Sequence, residues 1–369
     1  MKPVLVSTSA ELATAAAALA GAPRYFIDTE FDFGPGTRRL ALIQVSRGGD
    51  EAFLVDAVKL TALEPLGAAI GRADTEWVLH AGKLDVELLL AALKLPAAPA
   101  LFDTQVAWGL LGPEFPVSLA YLLYRLLGLR SMKGEQAGDW IRRPLSPEQI
   151  AYAAEDVAHL PELRDALGGK LREKGREAAA FAASAEACAE DMDAAVTLDD
   201  FRNAWQLDAS GLAVLKHLID AHNALPAEER AFALPTRAFL SVAKLIPESA
   251  EEFSRIKGVP FAWVKRHGQA LANTLVRVSF DSRKDPFVPL EPPPYATWPD
   301  ILAEGWLRDA AARACAALEI SPDLVFPGRL IGAMAKKVAA AGKGAALDAL
   351  NGWRRELLGD SLTVKPSTS

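Results

Sequence analysis

The chain has 369 residues, of which 51% are hydrophobic and 24% are charged, and its formal net charge is −7. This size favours two or three domains, and the composition is typical of a globular protein. The acidic balance excludes a chain that is basic throughout and binds nucleic acid by charge alone, although it leaves room for local basic patches.

Two further classes are disfavoured by the sequence. No apolar stretch approaches the length of a membrane span, and the first residues lack the apolar segment of a signal peptide. The two cysteines, Cys188 and Cys315, lie far apart without metal-ligand spacing, which argues against a disulfide framework and a zinc site. We therefore expect a cytoplasmic protein that does not bind membranes.

Strand and helix patterns alternate over the first third of the chain. Apolar runs predict strands over 25–31, 40–46, 52–55, 77–80 and 101–102. Amphipathic patterns predict helices over 60–70, 83–93, 104–111 and 118–127. The turn residues around Gly48, Gly49 and Asp50 fit a hairpin between the second and third strands. These elements predict an α/β domain with a mixed sheet, in which hairpins join the first strands and helical crossovers join the later ones.

The rest of the chain is predicted to be helical. A helix begins at Pro147 with Ser146 as its N-cap, and strand patterns end after about Gly175. The predicted division is an α/β domain over 1–175, a helical connector over 176–204, a helical domain over 205–281, a Pro-rich linker over 282–299 and a second helical domain over 300–369.

The first predicted strand ends in two acids, Asp28 and Glu30, which are two positions apart. Alternate residues of a strand point to the same face, so these carboxylates are expected to lie close together. Two like charges at such a distance repel each other unless a cation lies between them. The alternative is a turn-forming Asp followed by a solvated Glu.

A third acid, Asp85, follows the predicted strand 77–80 and falls in the first turn of the next helix. Functional groups of parallel α/β sheets often lie at such strand-to-helix junctions. The alternative is that Asp85 only complements the helix dipole.

The helix that begins at Pro147 carries Tyr152 and Asp156 on one face, four residues apart. An aspartate within an apolar stripe is out of place in a core helix. In the functional interpretation, Asp156 is a metal ligand and Tyr152 is the partner of a reacting water. The alternative is a buried tyrosine hydroxyl that pairs with a local carboxylate.

Asp28, Glu30, Asp85 and Asp156 together predict a metal-binding catalytic site, with Tyr152 as a further catalytic residue. Oxygen ligands suit Mg²⁺ or Mn²⁺ rather than zinc. Four carboxylates suffice to hold two divalent ions roughly 3.5–4 Å apart, an arrangement that promotes in-line attack on phosphodiesters. In such a site, Tyr152 would orient the attacking water or help to remove its proton.

The order Asp-x-Glu, Asp and Tyr-x-x-x-Asp on a strand and two helices resembles the DEDD 3′–5′ exonuclease superfamily, tyrosine subclass. Other segments resemble bacterial ribonuclease D: Phe26–Phe31, Leu42-Ile43-Gln44, Lys133–Gln136, Asp139-Trp140, Arg143-Pro144-Leu145, Gln149 and Tyr152-Ala153. Members of this family often have Ser before the Asp-Trp pair, where this chain has Gly138. That difference puts substrate preference in doubt and leaves the chemistry untouched.

The later part of the chain extends the resemblance. Residues 210–280 are similar to an HRDC domain, with Leu245-Ile-Pro247 and Ile256-Lys-Gly258 at favoured positions, although the region is less basic than some members. Gly352-Trp353-Arg354 resembles the second, more divergent HRDC-like domain. The resemblance therefore implies a ribonuclease H-like mixed-sheet exonuclease domain followed by two small helical HRDC-type domains.

The resemblance implies an exoribonuclease that hydrolyses RNA from the 3′ end to nucleoside 5′-monophosphates. It also implies RNA partners such as tRNA precursors with 3′ extensions, and we expect a monomer. A DNA-directed exonuclease of the same superfamily is one alternative. A non-catalytic RNA-binding protein is another, but the presence of all four acids argues against it.

Five residues near these acids are candidate substrate contacts: Thr29, Phe31, His80, Lys83 and Arg143. Phe31 would stack on the terminal base, with core packing as the alternative. His80 would contact the sugar or phosphate, with a satisfied core histidine as the alternative. Lys83 would meet a phosphate, with a solvated helix-start residue as the alternative. Arg143 would contact the RNA backbone, with a structural pairing to Asp139 as the alternative.

Overall fold

The computed structural model describes residues 1–34, 37–130, 138–189, 195–225, 233–284, 288–292, 297–350, 352–359 and 361–362. The chain forms two compact units. The first comprises Met1–Asp32, Leu40–Glu190 and Ala296–Ser369, and the second comprises Phe33–Arg39 and Asp191–Tyr295.

The first unit is built on a mixed sheet. Its strands are β1 Lys2–Val6, β2 Arg24–Gly34, β3 Thr37–Ser46, β4 Glu51–Asp56, β5 Glu76–Leu79 and β6 Ala100–Asp103. Their order across the sheet is β1-β4-β3-β2-β5-β6. Strands β3 and β4 are antiparallel, with Ile43 opposite Val55, whereas β1 with β4, β2 with β5 and β5 with β6 are parallel. The predicted hairpin around Gly48 is therefore present.

Helices connect these strands and cover the sheet. They are α1 Ser9–Leu19, α2 Glu64–Ile70, α3 Lys83–Leu93, α4 Thr104–Gly109, α5 Leu119–Leu122 with a π-helical turn Leu123–Leu127, α6 Pro147–Ala158, α7 Leu160–Glu173 and α8 Glu177–Ala189. Helix α6 begins as predicted, because the Ser146 hydroxyl accepts a hydrogen bond from the Gln149 amide at 3.2 Å.

The alternation of side chains along β2 divides the core into two layers. Tyr25 and Ile27 pack with α1, α2 and α3, whereas Phe26 packs with α4, α6 and α7 on the other face. By the same alternation, Asp28 and Glu30 point toward the layer that contains α6. Thr29, between them, points toward the layer that contains α3.

The second unit is helical. Its helices are α9 Ala209–Asn223, α10 Thr236–Leu245, α11 Ala250–Ser254, α12 Phe261–Trp263 with a π-helical turn Val264–Gly268, and α13 Gln269–Asp281. Leu215, Phe239 and Phe253 are among the side chains of its buried core.

The last helices belong to the first unit. They are α14 Trp298–Leu318, α15 Pro322–Val325, α16 Gly328–Ala341, α17 Ala345–Asp348 and α18 Gly352–Leu358. Leu307 and Met334 lie in the same buried cluster as Phe26 and α6. Glu186 of α8 accepts hydrogen bonds from Trp353 Nε1 at 2.8 Å and Arg354 Nη1 at 2.6 Å. The helices after Ala296 thus share a core with the sheet, and the predicted domain limits stay a prediction.

Several elements differ from the sequence prediction, and some predicted segments fall outside the described residues. Strand β1 and helix α1 were not predicted, and α2 begins at Glu64 rather than Leu60. The motif Lys133–Gln136 and parts of the predicted linker 282–299 fall outside the described residues. No helix in the described part of the chain has the length and apolar character that a bilayer crossing requires.

Candidate active site

Three of the predicted acids converge in the first unit. One carboxylate oxygen from each of Asp28, Glu30 and Asp156 lies within 4.8 Å of the others. Asp28 and Glu30 come from the face of β2 that packs toward α6, and Asp156 comes from α6 itself. The packing of α6 on this face therefore brings together acids that are more than a hundred positions apart in the sequence.

Asp85 lies beside this group and approaches β2 from the other layer. It is only 8% exposed, in the first turn of α3. Its Oδ1 accepts a 2.5 Å hydrogen bond from the hydroxyl of Thr29, the residue between Asp28 and Glu30. Asp85 is not within the three-acid group of the described residues, but its charge raises the pKa of both Asp28 and Glu30.

Burial and mutual repulsion raise the pKa values of these acids. Loss of hydration raises the pKa of Glu30 to about 8, with contributions from the charges of Asp156 and Asp85. Burial raises the pKa of Asp156 to about 7 and that of Asp85 to about 6. The pKa of Asp28 is raised well above its usual value, first by burial and then by its three acidic neighbours. The protein alone thus lacks the positive charge that this cluster needs to ionise fully.

Tyr152 is joined to the cluster through Asp156. Its hydroxyl donates a hydrogen bond to the Asp156 carboxylate, which lowers the pKa of Asp156 against the effect of burial. Its ring lies 6.1 Å from that of buried Trp140, centroid to centroid. The structure therefore contains the tyrosine–carboxylate pair of the alternative interpretation, at the place that the catalytic interpretation requires.

The donor set fits divalent metal ions. Its ligands are carboxylate oxygens, which suit hard cations such as Mg²⁺ and Mn²⁺. Three of them, from Asp28, Glu30 and Asp156, lie close enough together to share one ion. A cation among them would offset the repulsion that, in addition to burial, raises the pKa of Asp28 and Glu30.

The predicted RNA contact of Arg143 needs correction. Its guanidinium donates to both oxygens of Asp56 at 2.7 Å, and to the carbonyls of Trp140, Arg142 and Ala41 at 2.7, 3.0 and 2.9 Å. These bonds use all five of its N–H donors. Arg143 is therefore a structural clamp between the loop before α6 and strands β3 and β4, and it pairs with Asp56 rather than Asp139.

His80 and Thr29 also have protein partners in place of the predicted substrate contacts. His80 Nδ1 lies 2.9 Å from the Thr104 hydroxyl, and Nε2 donates to the Val117 carbonyl at 3.1 Å. Burial lowers the pKa of His80, which favours the neutral ring. The Thr29 side chain is 5% exposed and bonds Asp85. The arrangement of His80 matches a satisfied core histidine, and Thr29 supports an acid of the site.

Phe31 and Lys83 remain predicted substrate contacts. Both are partly buried. Phe31 lies within β2, which continues to Gly34 rather than ending at residue 31 as predicted, and Lys83 is the first residue of α3.

Two structural residues were missed by the sequence analysis. Asp56 ends β4 and is 1% exposed, and Asp103 ends β6 and is 5% exposed. Both are acids at the end of an apolar strand, which is the signal that singled out Asp28. Applied to every predicted strand, that signal would have found them.

Similarity to known proteins agrees with this geometry. Residues 3–172 match the 3′-5′ exonuclease family. The chain is 30% identical over 384 residues to ribonuclease D of Acidiphilium cryptum (strain JF-5), which covers 99% of this chain and 93% of the relative. The chain belongs to the ribonuclease D family. Ribonuclease D of Pseudomonas paraeruginosa (strain DSM 24068 / PA7) is 28% identical over 360 residues, 92% of this chain and 91% of the relative.

A solved structure shows the same fold. The crystal structure of Escherichia coli RNase D, described as an exoribonuclease involved in structured RNA processing, superposes with a TM-score of 0.76. The two chains are 24% identical, and the match covers 98% of each. This match confirms the predicted fold class, and the ribonuclease D relatives confirm the predicted family and exoribonuclease class, with RNA as the substrate class of a ribonuclease D.

Proposed function

We propose that this ribonuclease D shortens single-stranded 3′ ends of RNA with two divalent ions, Mg²⁺ or Mn²⁺, and releases nucleoside 5′-monophosphates. The observation that carries the proposal is the convergence of Asp28, Glu30 and Asp156 within 4.8 Å, with Tyr152 bonded to Asp156.

The four acids divide into two sets in the proposed mechanism. Asp28, Glu30 and Asp156 would hold one ion, and Asp85, together with Asp28, would hold the second. Metal ions of this kind supply a more acidic water and neutralise charge on the phosphate during in-line displacement. The protein would hold its carboxylates around these ions, and the burial of the site would strengthen the action of their charges.

Tyr152 would act at its hydroxyl oxygen. The hydroxyl lies against Asp156, so it can orient a water next to that carboxylate and share the proton that the water loses. Packing of its ring near Trp140 restricts the direction in which the hydroxyl points.

The family resemblance supports a class of physiological substrates. We propose tRNA precursors and other small structured RNAs with 3′ extensions as substrates of a monomeric, cytoplasmic enzyme. The acidic net charge of −7 supports an enzyme that relies on its site and on local basic patches for RNA affinity.

Digestion of labelled oligonucleotides tests the proposal. A 5′-labelled single-stranded RNA should shorten one nucleotide at a time with Mg²⁺ or Mn²⁺, and the products should be 5′-monophosphates. Excess EDTA and Asp156→Asn should each abolish the reaction, whereas Glu155→Gln, at the preceding residue of α6, should retain it. Faster digestion of a matched DNA would instead assign the chain to DNA, and equal activity in EDTA would refute the metal mechanism.

A further inference from the structure

Asp103 gathers backbone amides from two different elements. Its carboxylate accepts from Gln105 and Val106 at 2.8 and 3.4 Å, which caps α4. It also accepts from Ala81 at 3.0 Å and Gly82 at 2.9 Å, in the turn between β5 and α3. A cap needs only the first two bonds, so the other two require a separate explanation.

The turn that Asp103 holds sets the start of α3. Ala81 has a φ of 54°, a left-handed conformation that a non-glycine residue adopts only when its surroundings hold it there. Gly82 is the N-cap of α3 and supplies no side-chain cap of its own. The amide groups of this turn are therefore satisfied from β6, by Asp103.

The position of Asp85 depends on this turn. Asp85 lies three residues after Gly82, in the first turn of α3, so a rotation of the turn would move its carboxylate. On the other side, the Thr29 hydroxyl bonds the same carboxylate at 2.5 Å. Asp85 is thus held from two directions, by Thr29 directly and by Asp103 through the backbone.

We propose that Asp103 is a positioning residue that places Asp85 for metal binding. The inference rests on the proposed function, in which Asp85 holds an ion, and it adds a residue outside the four-acid motif. Partners that orient metal ligands typically change metal affinity by about 10–100-fold when they are removed.

The substitution Asp103→Asn separates the two roles of this carboxylate. With its amide oxygen at the Oδ1 position, Asn keeps the bonds from Ala81, Gln105 and Val106, all of which are made to Oδ1. Its NH₂ group then faces the Gly82 amide, where Oδ2 accepted before, and a donor meets a donor. Helix α4 stays capped, while the Gly82 amide at the start of α3 loses its acceptor.

Titration with Mn²⁺ alone, followed by electron paramagnetic resonance, tests the inference without hydrolysis. Asp103→Asn should weaken Mn²⁺ binding about tenfold. In the background of Asp85→Asn it should have no further effect, since Asp103 acts through Asp85. Asp208→Asn makes the same change at the N-cap of α9 in the second unit and should leave Mn²⁺ binding unchanged.

The substitution Gly82→Ala provides a test that changes no charge and does not touch Asp103. A Cβ at Gly82 would lie 2.6 Å from Leu79 Cβ, so the turn must shift. It should weaken Mn²⁺ binding in the same way, and it carries the test if Asp103→Asn does not fold. Wild-type affinity in both variants, or an equal loss with and without Asp85, would overturn the inference. If Asp85→Asn itself binds Mn²⁺ like the wild type, the role of Asp85 in the proposed function fails, and the inference with it.

Discussion

The hydroxyl of Thr29 donates a 2.5 Å hydrogen bond to Asp85 Oδ1, and this bond joins β2 to the first turn of α3. Both side chains are at least nine-tenths buried. Because neighbouring strand residues point to opposite faces, the strand that presents Asp28 and Glu30 to one layer presents Thr29 to the other. One short segment therefore supplies two acids and the partner of a third.

Loss of the Thr29 hydroxyl should impair catalysis without a large structural change. Thr29→Val keeps the volume of the side chain and removes the donor that favours the charged form of Asp85, so the pKa of Asp85 should rise further. We expect about tenfold slower RNA hydrolysis at limiting Mn²⁺. Thr29→Ser, which retains the hydroxyl, should stay close to the wild type, and equal rates for Val and Ser would contradict this role.

Removal of the Tyr152 hydroxyl should affect the reaction and spare metal binding. Tyr152→Phe keeps the ring that packs near Trp140 and loses the bond to Asp156. A group that orients or deprotonates the attacking water contributes about 10²–10⁴-fold to the rate. Single-turnover hydrolysis should therefore fall by such a factor, while Mn²⁺ titration should show a similar affinity.

Tyr121→Phe is the matched control for that experiment. The Tyr121 hydroxyl donates to Glu114 at 2.6 Å, and neither residue belongs to the acid cluster. Its loss should leave the rate of hydrolysis unchanged, and a comparable drop in both variants would remove Tyr152 from its proposed role.

Local patterns in the sequence predicted most of the sheet and the acids of the site. Alternation placed Asp28 and Glu30 on one face, and the four-residue spacing placed Tyr152 and Asp156 together. The pairings Thr29 with Asp85 and Arg143 with Asp56 span 56 and 87 positions, and only tertiary packing creates them.

The missed elements show how weak a local signal can be. Strand β1 lies at the edge of the sheet, where Lys2 and Pro3 are exposed and interrupt any apolar alternation. Helix α1 is rich in alanine, which blurs its apolar stripe, but its capping box is visible: the Thr8 hydroxyl accepts from the Glu11 amide, and Glu11 accepts from the Thr8 amide. That motif could have indicated the helix from sequence.

Arg143 should matter for stability rather than for contact with RNA. Arg143→Leu leaves Asp56, which is 1% exposed, without its charged partner, and loss of one member of a buried ion pair costs about 3 kcal/mol. Urea unfolding should show this loss. RNA affinity, measured where the variant is folded, should decrease less than twofold, and its dependence on salt should not change.

The neighbouring Arg142 serves as the comparison for RNA binding. Arg142 is exposed and lies in the same loop before α6. If Arg143→Leu lowers the slope of log affinity against log salt by about 1 and Arg142→Leu does not, Arg143 contacts a phosphate after all.

The metal-free protein should lose stability as the pH rises from about 4 to 8.5. Folding raises the pKa of Asp85 to about 6, of Asp156 to about 7 and of Glu30 to about 8, so the folded state holds more protons than the unfolded state in this window. When the unfolded state binds fewer protons, the free energy of unfolding falls with increasing pH. The stabilising contribution is complete below the unfolded pKa values, near 4, and disappears as the pH passes the folded values.

Thermal unfolding in EDTA at a series of pH values measures this effect. We expect the Tm to decrease by at least about 2 °C across the window, since roughly 1 kcal/mol shifts the Tm of a large domain by that much. Glu30→Gln, which is neutral at every pH, should flatten the profile. Saturating Mn²⁺ should reverse the slope of Tm against pH. The ligands bind the metal in their ionised form, so the affinity of the protein for Mn²⁺ rises with pH. The pKa of Asp56 is lowered chiefly by Arg143, against the effect of burial. Its contribution to stability is therefore lost only at acid pH, as the pH falls, which is the opposite direction. A Tm independent of pH in EDTA would show that the four acids are not held together in the metal-free protein.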